Sequence, residues 1–222
     1  MGMRCFSRQF KQILFTLLLS ILAATAISQI KPQKAKAKPA PAKTVSPRLR
    51  DFMRLTTSAG IDFTFPEGFK ETKIFNNEDY AFDYAMEIPG QGFEIWFRVK
   101  PQKNDWQNYL LAKNDPHKQT PDPDTAYIAL AHAQASTLAE DTSWIKRGIL
   151  PDVLERYNAN AGQSYLLTLP DRRATNAYKY ALVLAIEKDH TGTILAVCFT
   201  NDKSTEFFKN VSRISRYMKF KP

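Results

Sequence analysis

Apolar side chains along the chain fall into two rhythms. Between residues 80 and 100 the period is two. Tyr80, Phe82, Tyr84, Met86 and Ile88 alternate with Ala81, Asp83, Ala85 and Glu87. After the turn PGQG (89–92), Phe93, Ile95, Phe97 and Val99 alternate with Glu94, Trp96, Arg98 and Lys100. Alternation sorts side chains onto the two faces of a strand, so these runs predict an antiparallel hairpin with one face buried more fully than the other. Trp96, on the more polar face, is expected to lie under a covering helix. A shorter alternation, Ile61, Phe63 and Phe65 against Asp62 and Thr64, predicts a strand ended by the turn Pro66-Glu67-Gly68. SYLLTL (164–169) predicts another. YKYALVLAIEK (178–188) and TILAVCFTN (193–201) flank the turn DHTG and are apolar on both faces, which predicts the centre of a sheet covered on both sides.

Helical spacing governs the rest. NDWQNYLLAK (104–113) predicts a helix with Asn104 as its N-cap. Residues 114–124 carry only loop signals. Asp122-Pro123 then starts an alanine-rich helix over 124–140, with Tyr127, Ile128, Ala131, Ala135 and Leu138 at helical spacing. A shorter helix is predicted from Pro151. The chain closes with 204–220, where Ser204 caps a helix, Phe207, Val211, Ile214 and Met218 form its apolar stripe, and Lys209, Arg213 and Arg216 point outward. Residues 51–60 read as a lead-in. There is no internal repeat. The order predicts an α+β fold, an antiparallel sheet covered by helices, over a single domain at 51–222.

The N-terminus has a different pattern. Arg4, Arg8 and Lys11 precede the ten-residue apolar run ILFTLLLSIL (13–22), and small residues follow. Ten residues are too few to cross a hydrocarbon core of about 30 Å, so residues 1–28 read as a secretory signal peptide rather than an anchor helix. Cleavage fits after Ala26 or after Ser28. The expected location is therefore exported, periplasmic or extracellular, in a bacterial cell. Cys5 leaves with the signal, and Cys198, inside an apolar run, is expected to behave as a small buried hydrophobe.

Charge separates the segments further. The formal net charge of +9 suggests a nucleic-acid partner until it is located. Residues 29–50 hold seven Lys and Arg and no acid, whereas 51–222 hold 21 basic and 22 acidic side chains. The domain is balanced overall, so nucleic acid is not expected as a partner. Residues 29–50, rich in Lys, Pro and Ala, have almost nothing to bury and are expected to be a disordered, semi-stiff linker. Lys31, Lys34, Lys36, Lys38 and Lys43 also suit contact with an anionic surface.

The layout is similar to the PsbP-like fold. The residues that carry the resemblance are GIDFTFPEGFKE near the domain start, the hairpin YAFDYAMEIPGQGFEIWFRV, the apolar hairpin YALVLAIEKDHTGTILAVCFTND and the closing amphipathic helix, over about residues 55–220. The resemblance implies an α/β/α sandwich in a small exported bacterial protein. It implies no catalytic residue, because the fold hosts binding and structural roles without a shared site.

Motifs of chemistry are sparse. His117, His132 and His190 form no HExxH pair. His132 is expected to be packed or half-exposed on its helix, and His190 an exposed turn tip. His117 has Asp115 and Asp122 nearby, at a spacing that matches no metal cage. GQS (162–164) lacks the second glycine of GxSxG. No phosphate-binding glycine loop occurs. The acid pairs Glu78-Asp79 and Glu140-Asp141 read as turns or a helix end. Neither a cofactor nor a catalytic residue is assigned. The loop region 101–123 is the candidate site, with Trp106, Tyr109, Asp115 and His117 as binding residues. The functional expectation is an exported, non-catalytic binding or assembly domain for a protein or envelope partner. The alternative is a hydrolase whose site lies near that loop. The export reading has a direct check: the mature protein should have the intact mass of a chain starting at Ile27 or Gln29, and a chain retaining Met1 refutes it.

Overall fold

The computed structural model describes residues 45–74, 81–113, 115, 117, 120–139, 144–171 and 173–222. Residues 1–28, read as a signal peptide, and the five lysines Lys31 to Lys43 of the stretch read as linker lie outside the described residues, as do Glu78, Asp79, Glu140 and Asp141. In chain order the elements are α1 (Pro47–Ser58), β1 (Ile61–Phe63), β2 (Lys70–Glu71), β3 (Tyr84–Ile88), β4 (Phe93–Pro101), α2 (Lys103–Ala112), α3 (Ala126–Ala139), β5 (Trp144–Gly148), α4 (Pro151–Tyr157), β6 (Ala161–Thr168), β7 (Tyr180–Lys188), β8 (Gly192–Thr200), α5 (Thr205–Arg213) and β9 (Met218–Phe220).

The two predicted hairpins form and pair with each other. Tyr84 faces Phe97 and Ile88 faces Phe93 across the first; Tyr180 faces Thr200 and Lys188 faces Gly192 across the second. Strand β4 then pairs with β8 along nine residues, giving a seven-stranded antiparallel sheet in the order β2-β3-β4-β8-β7-β6-β5. All nine residues of β8 are buried, as the two-sided apolar pattern requires. Gly192 opens β8 where a Cβ would stand 2.6 Å from the Lys100 carbonyl oxygen, so any larger residue would push β4 and β8 apart.

Each face of the sheet carries its own core. Tyr84, Met86, Ile95, Phe97, Ile186 and Cys198 turn to one side. There they meet Phe52 of α1, Tyr157 of α4, Phe207 and Val211 of α5, and the β1–β9 ribbon. Ala85, Trp96, Val183, Ala185, Val197 and Phe199 turn to the other side, against Ala131, Ala135 and Leu138 of α3. The result is a helix–sheet–helix sandwich, the α+β class read from the pattern. Trp96 lies beneath α3, wedged between Phe82 (5.1 Å between ring centres) and Phe199 (4.6 Å). Small alanines on α3 let the helix approach these large rings closely. Cys198 is fully buried and free, and burial pushes its thiol well above the ordinary range.

Asn104 lies inside α2, which Gln102 precedes, and Phe82 packs beside Trp96 rather than with Tyr84; three larger segments also differ from expectation. The closing helix is shorter than the stripe to Met218 suggests: α5 ends at Arg213, a 3-10 turn spans Ile214–Arg216, and Met218–Phe220 becomes strand β9 paired with β1. Met218 and Phe220 are buried while Lys219 is exposed, a period of two too short to detect without its partner 155 residues away in the register Met218 to Phe63. Strand β5, largely exposed, has no apolar rhythm; it exists because it pairs with β6 at the sheet edge. Lys146 and Arg147 put charge on that edge, which discourages further strand addition.

The third difference is α1. It starts at Pro47, inside the stretch read as linker, and covers the lead-in. Ser46 is its N-cap: the hydroxyl oxygen accepts from the Leu49 N–H at 3.0 Å and donates to Glu71 at 2.5 Å. Tyr84 donates to the same Glu71 oxygen at 3.2 Å. A Ser-Pro start with Leu49, Phe52 and Leu55 behind it is a legible helix signal. Phe52 then stacks on Tyr84 at 4.8 Å, so α1 belongs to the core. Ser46→Ala removes cap and tie together and should cost about 1 kcal/mol. The expected reading is a Tm lower by about 2–4 °C in calorimetry; an unchanged Tm would show that α1 is not anchored there.

Candidate functional site

The four residues proposed from the 101–123 region separate into two pairs. Trp106 and Tyr109, one turn apart on α2, have ring centres 5.3 Å apart. Asp115 and His117 form a local turn in which the His117 N–H donates to the Asp115 carboxylate at 3.0 Å. Asp122, third member of the sequence trio, instead accepts from the Asp124 N–H at 3.0 Å to start the turn before α3. Among the described residues, no group of three or more His, Cys, Asp and Glu is placed to hold a metal ion.

Trp106 has a partner that sequence distance hid. The His190 ring stacks on it at 3.7 Å and 16°. His190 Nδ1 lies 2.7 Å from one Asp124 oxygen, and its backbone N–H donates to the other at 2.8 Å. His190 takes a positive φ of 60°, tolerated in a turn but rare for a side chain with a Cβ. The expected exposed tip is thus half-exposed and gripped from two sides. A carboxylate orienting an imidazole resembles half of a nucleophile-activating array. The hydroxyls nearby are engaged elsewhere: Thr191 donates to the Asp189 carbonyl and Thr193 to Glu187. The pair works as a latch that fixes the β7–β8 turn to α2 and α3. His132 is exposed on α3, edge-on to Trp144 at 5.7 Å.

Beneath the latch lies Glu187, fully buried at the end of β7. Thr193 donates to one carboxyl oxygen, Gln102 lies within hydrogen-bonding range, and the Asp124 and Asp189 charges face it. Gln102 donates through Nε2 to the Pro123 carbonyl at 2.6 Å. That leaves Gln102 Oε1 and Glu187 Oε1, two buried acceptors, without a donor among the described residues. A proton on Glu187 satisfies both. Loss of hydration, more than the neighbouring charges, pushes its carboxyl up to about 8. Glu94 is the second buried carboxyl, holding Trp96 Nε1 at 2.6 Å and Asn176 Nδ2 at 2.9 Å; burial raises it as well.

A concavity with two lobes lies elsewhere, on the face carrying α4 and α5. One, about 270 Å³, is apolar. Its floor is Leu184 and Ile186 of β7, and its walls are Val153 and Tyr157 of α4 with Phe208 and Val211 of α5. The other, about 710 Å³, is lined by Arg156, Lys209, Arg213, Arg216 and Lys219 and by no acid. Arg156, Phe208, Ser212 and Ser215 line both lobes, so they form one groove. Arg147 adds a cation beside the apolar lobe. Arg156 pairs with Asp152 and Lys209 with Glu206, each at 3.5 Å within its own helix and exposed. Such pairs are weak and readily exchanged. Among the described residues, Arg147 and Arg216 have no carboxylate at ion-pair distance, while Lys219 stands directly across from Asp62 in the β1–β9 pair. Leu150 at the lip is 66% exposed and Phe208 42%. Apolar residues this accessible beside cations form a surface suited to a partner.

The outward Lys209, Arg213 and Arg216 were legible in the closing helical stripe, of which the structure places Arg216 in the 3-10 turn after α5. Their convergence with Arg147, Arg156 and Lys219 was not, because three other elements supply those. The balanced charge of 51–222 conceals the local excess. Searched against protein-family models and against curated proteins, the chain matches none. Among the described residues no helix is long and apolar enough to cross a membrane.

The buried carboxyl makes stability depend on pH. A folded-state value raised from 4.5 to about 8 means that the folded state holds a proton the unfolded chain releases. Stability from this group is full below about pH 4.5 and is lost as pH rises toward 8. Glu187→Gln retains the neutral shape, so the variant should show a flatter fall in denaturation midpoint between pH 5 and 8 than the parent. Parallel pH profiles would show that Glu187 is already ionised when folded.

Proposed function

We propose that the chain is an exported, non-catalytic binding module of PsbP-like architecture, and that the α4–α5 groove is its binding site. The observation that carries this reading is the groove itself: an apolar lobe continuous with a lobe ringed by five cations and no acid. Ligand sites are concave, largely apolar and oriented by a few polar groups. This groove meets that description better than the Trp106–His190 patch, where the polar groups bind one another. The partner it favours carries negative charge next to apolar surface. The basic stretch, Lys31 to Lys43, is proposed to add a second contact with an anionic envelope surface.

The fluorescent anion 1-anilinonaphthalene-8-sulfonate combines the two properties in one small probe. The folded full chain should bind it at one saturable site. Leu150→Asp and Arg156→Glu should each weaken binding by about tenfold or more, and Trp106→Ala should leave it unchanged. Binding insensitive to the groove variants, or lost with Trp106→Ala, moves the site away from the groove and defeats the proposal.

A further inference from the structure

The two lobes differ in what they admit. The apolar lobe, at about 270 Å³, is a cleft between α4 and α5 lined by Val153, Tyr157, Leu184, Ile186 and Val211, a surface that suits a flexible hydrocarbon chain. The lobe's floor is sheet backbone with Leu184 and Ile186 upon it, buried on one side of β7, so it does not open to admit something larger without disturbing the core. The basic lobe is wider, at about 710 Å³. Hydroxyls of Thr205 and Ser212 stand among its cations, while that of Ser215 donates to the Ser212 carbonyl at 3.2 Å. Arginine forks and hydroxyl donors together suit an oxyanion with several acceptor oxygens. Phe208 stands at the junction of the lobes, its ring packed edge-on to Phe207 at 5.1 Å.

From this partition we infer that the groove takes one molecule of an anionic single-chain lipid at a time. The oxyanion head rests among Arg156, Arg213, Arg216 and Lys219, and the chain runs past Phe208 into the apolar lobe. This inference rests on the groove being the binding site, as proposed above, and adds the class of occupant. Charge complementarity sets the head, and the apolar lining of the adjoining lobe sets the tail. The chain's own leader, carrying five lysines over 31–43, has the wrong sign to be the occupant.

Dodecyl phosphate, kept below its micelle concentration and titrated calorimetrically into the full chain, tests the inference. One-to-one binding is expected. Each methylene removed from the probe's chain should weaken it by about fourfold, the free-energy equivalent of one buried methylene. Inorganic phosphate and the uncharged dodecyl maltoside should each bind at least thirtyfold more weakly. Ser212→Trp, on the exposed side of α5, fills the junction without touching the core and should reduce binding at least tenfold. Arg216→Glu combined with Lys219→Glu should do the same through the head. Circular dichroism and an unchanged melting temperature establish that these variants are folded. Equal binding of inorganic phosphate or of the maltoside overturns the inference, as does indifference to Ser212→Trp. Adsorption to phosphatidylglycerol vesicles without one-to-one uptake of dodecyl phosphate also overturns it. If the sulfonate probe binds the groove while dodecyl phosphate does not, the binding module stands and the lipid occupant falls. If neither binds, both fall.

Discussion

The structure depends on the burial of β8 from both sides. This strand pairs along its full nine residues with β4 and with β7, and all nine are buried. Backbone groups in such a strand have no water to turn to, so both ladders must be complete. Its side chains must be apolar on both faces, and each face must then be covered. The two cores follow directly: Cys198, Ala196 and Ile194 require α1, α5 and the β1–β9 ribbon on one side, and Val197, Leu195 and Phe199 require α3 on the other. Glu187 and Glu94 stand at the strand ends, where the cover begins to fail. There a carboxyl can survive burial only by keeping its proton or by being met by donors, as Thr193 does for one and Trp96 and Asn176 do for the other.

The same demand for cover explains where the groove lies. Strands of nine residues run about 30 Å. Helix α5, at nine residues, spans about 14 Å, and α4, at seven, about 10 Å. Both are stopped locally. Pro151 begins α4 and Asn158, in the left-handed conformation, ends it, while α5 tightens into the 3-10 turn that delivers β9. Two short helices over long strands leave the outer end of β7 partly uncovered, with Leu184 and Ile186 beneath the gap. The strand interior on that side is rigid because β7 is paired with both β6 and β8. The floor of the groove is therefore formed before any ligand arrives, which lowers the ordering cost of binding.

How legible this was in the sequence depended on whether a feature is periodic within one element. The hairpins, the two-sided burial of 178–201, the place of Trp96 under a helix and the start of α5 at Ser204 all repeat locally, and the structure contains each. Strand β9 is three residues long, paired far away in sequence, and overlaps a helical stripe in Phe207, Val211, Ile214 and Met218. Its strand character comes from β1, which no local rule can supply. Strand β5 is similarly made by its neighbour. Helix α1 was legible in Ser46-Pro47 yet was masked by the basic composition around Arg48 and Arg50. The His190 latch and the groove both join residues from separate elements, and neither leaves a spacing to detect. Net charge misled most, since a sum of near zero over 51–222 is compatible with six cations around one depression.

That clustering has an energetic meaning of its own. Isolated surface cations interact weakly with any one anion, because water and salt screen them beyond about 8 Å at physiological ionic strength. Several cations around one concavity, without an ion-pair partner on Arg147 or Arg216, act together on the same bound group. Their mutual repulsion is present whether or not the groove is filled, and what favours occupancy is the sum of their attractions for one bound anion. An anion alone would still sit in an open, solvated lobe and exchange freely. Apolar burial in the adjoining lobe is less sensitive to salt and supplies the retention that charge does not. In the proposed reading the cations select the sign of the ligand and the apolar lobe holds it. Only a ligand bearing both features draws on both terms, which is why the junction at Ser212 and Phe208 matters more than either end.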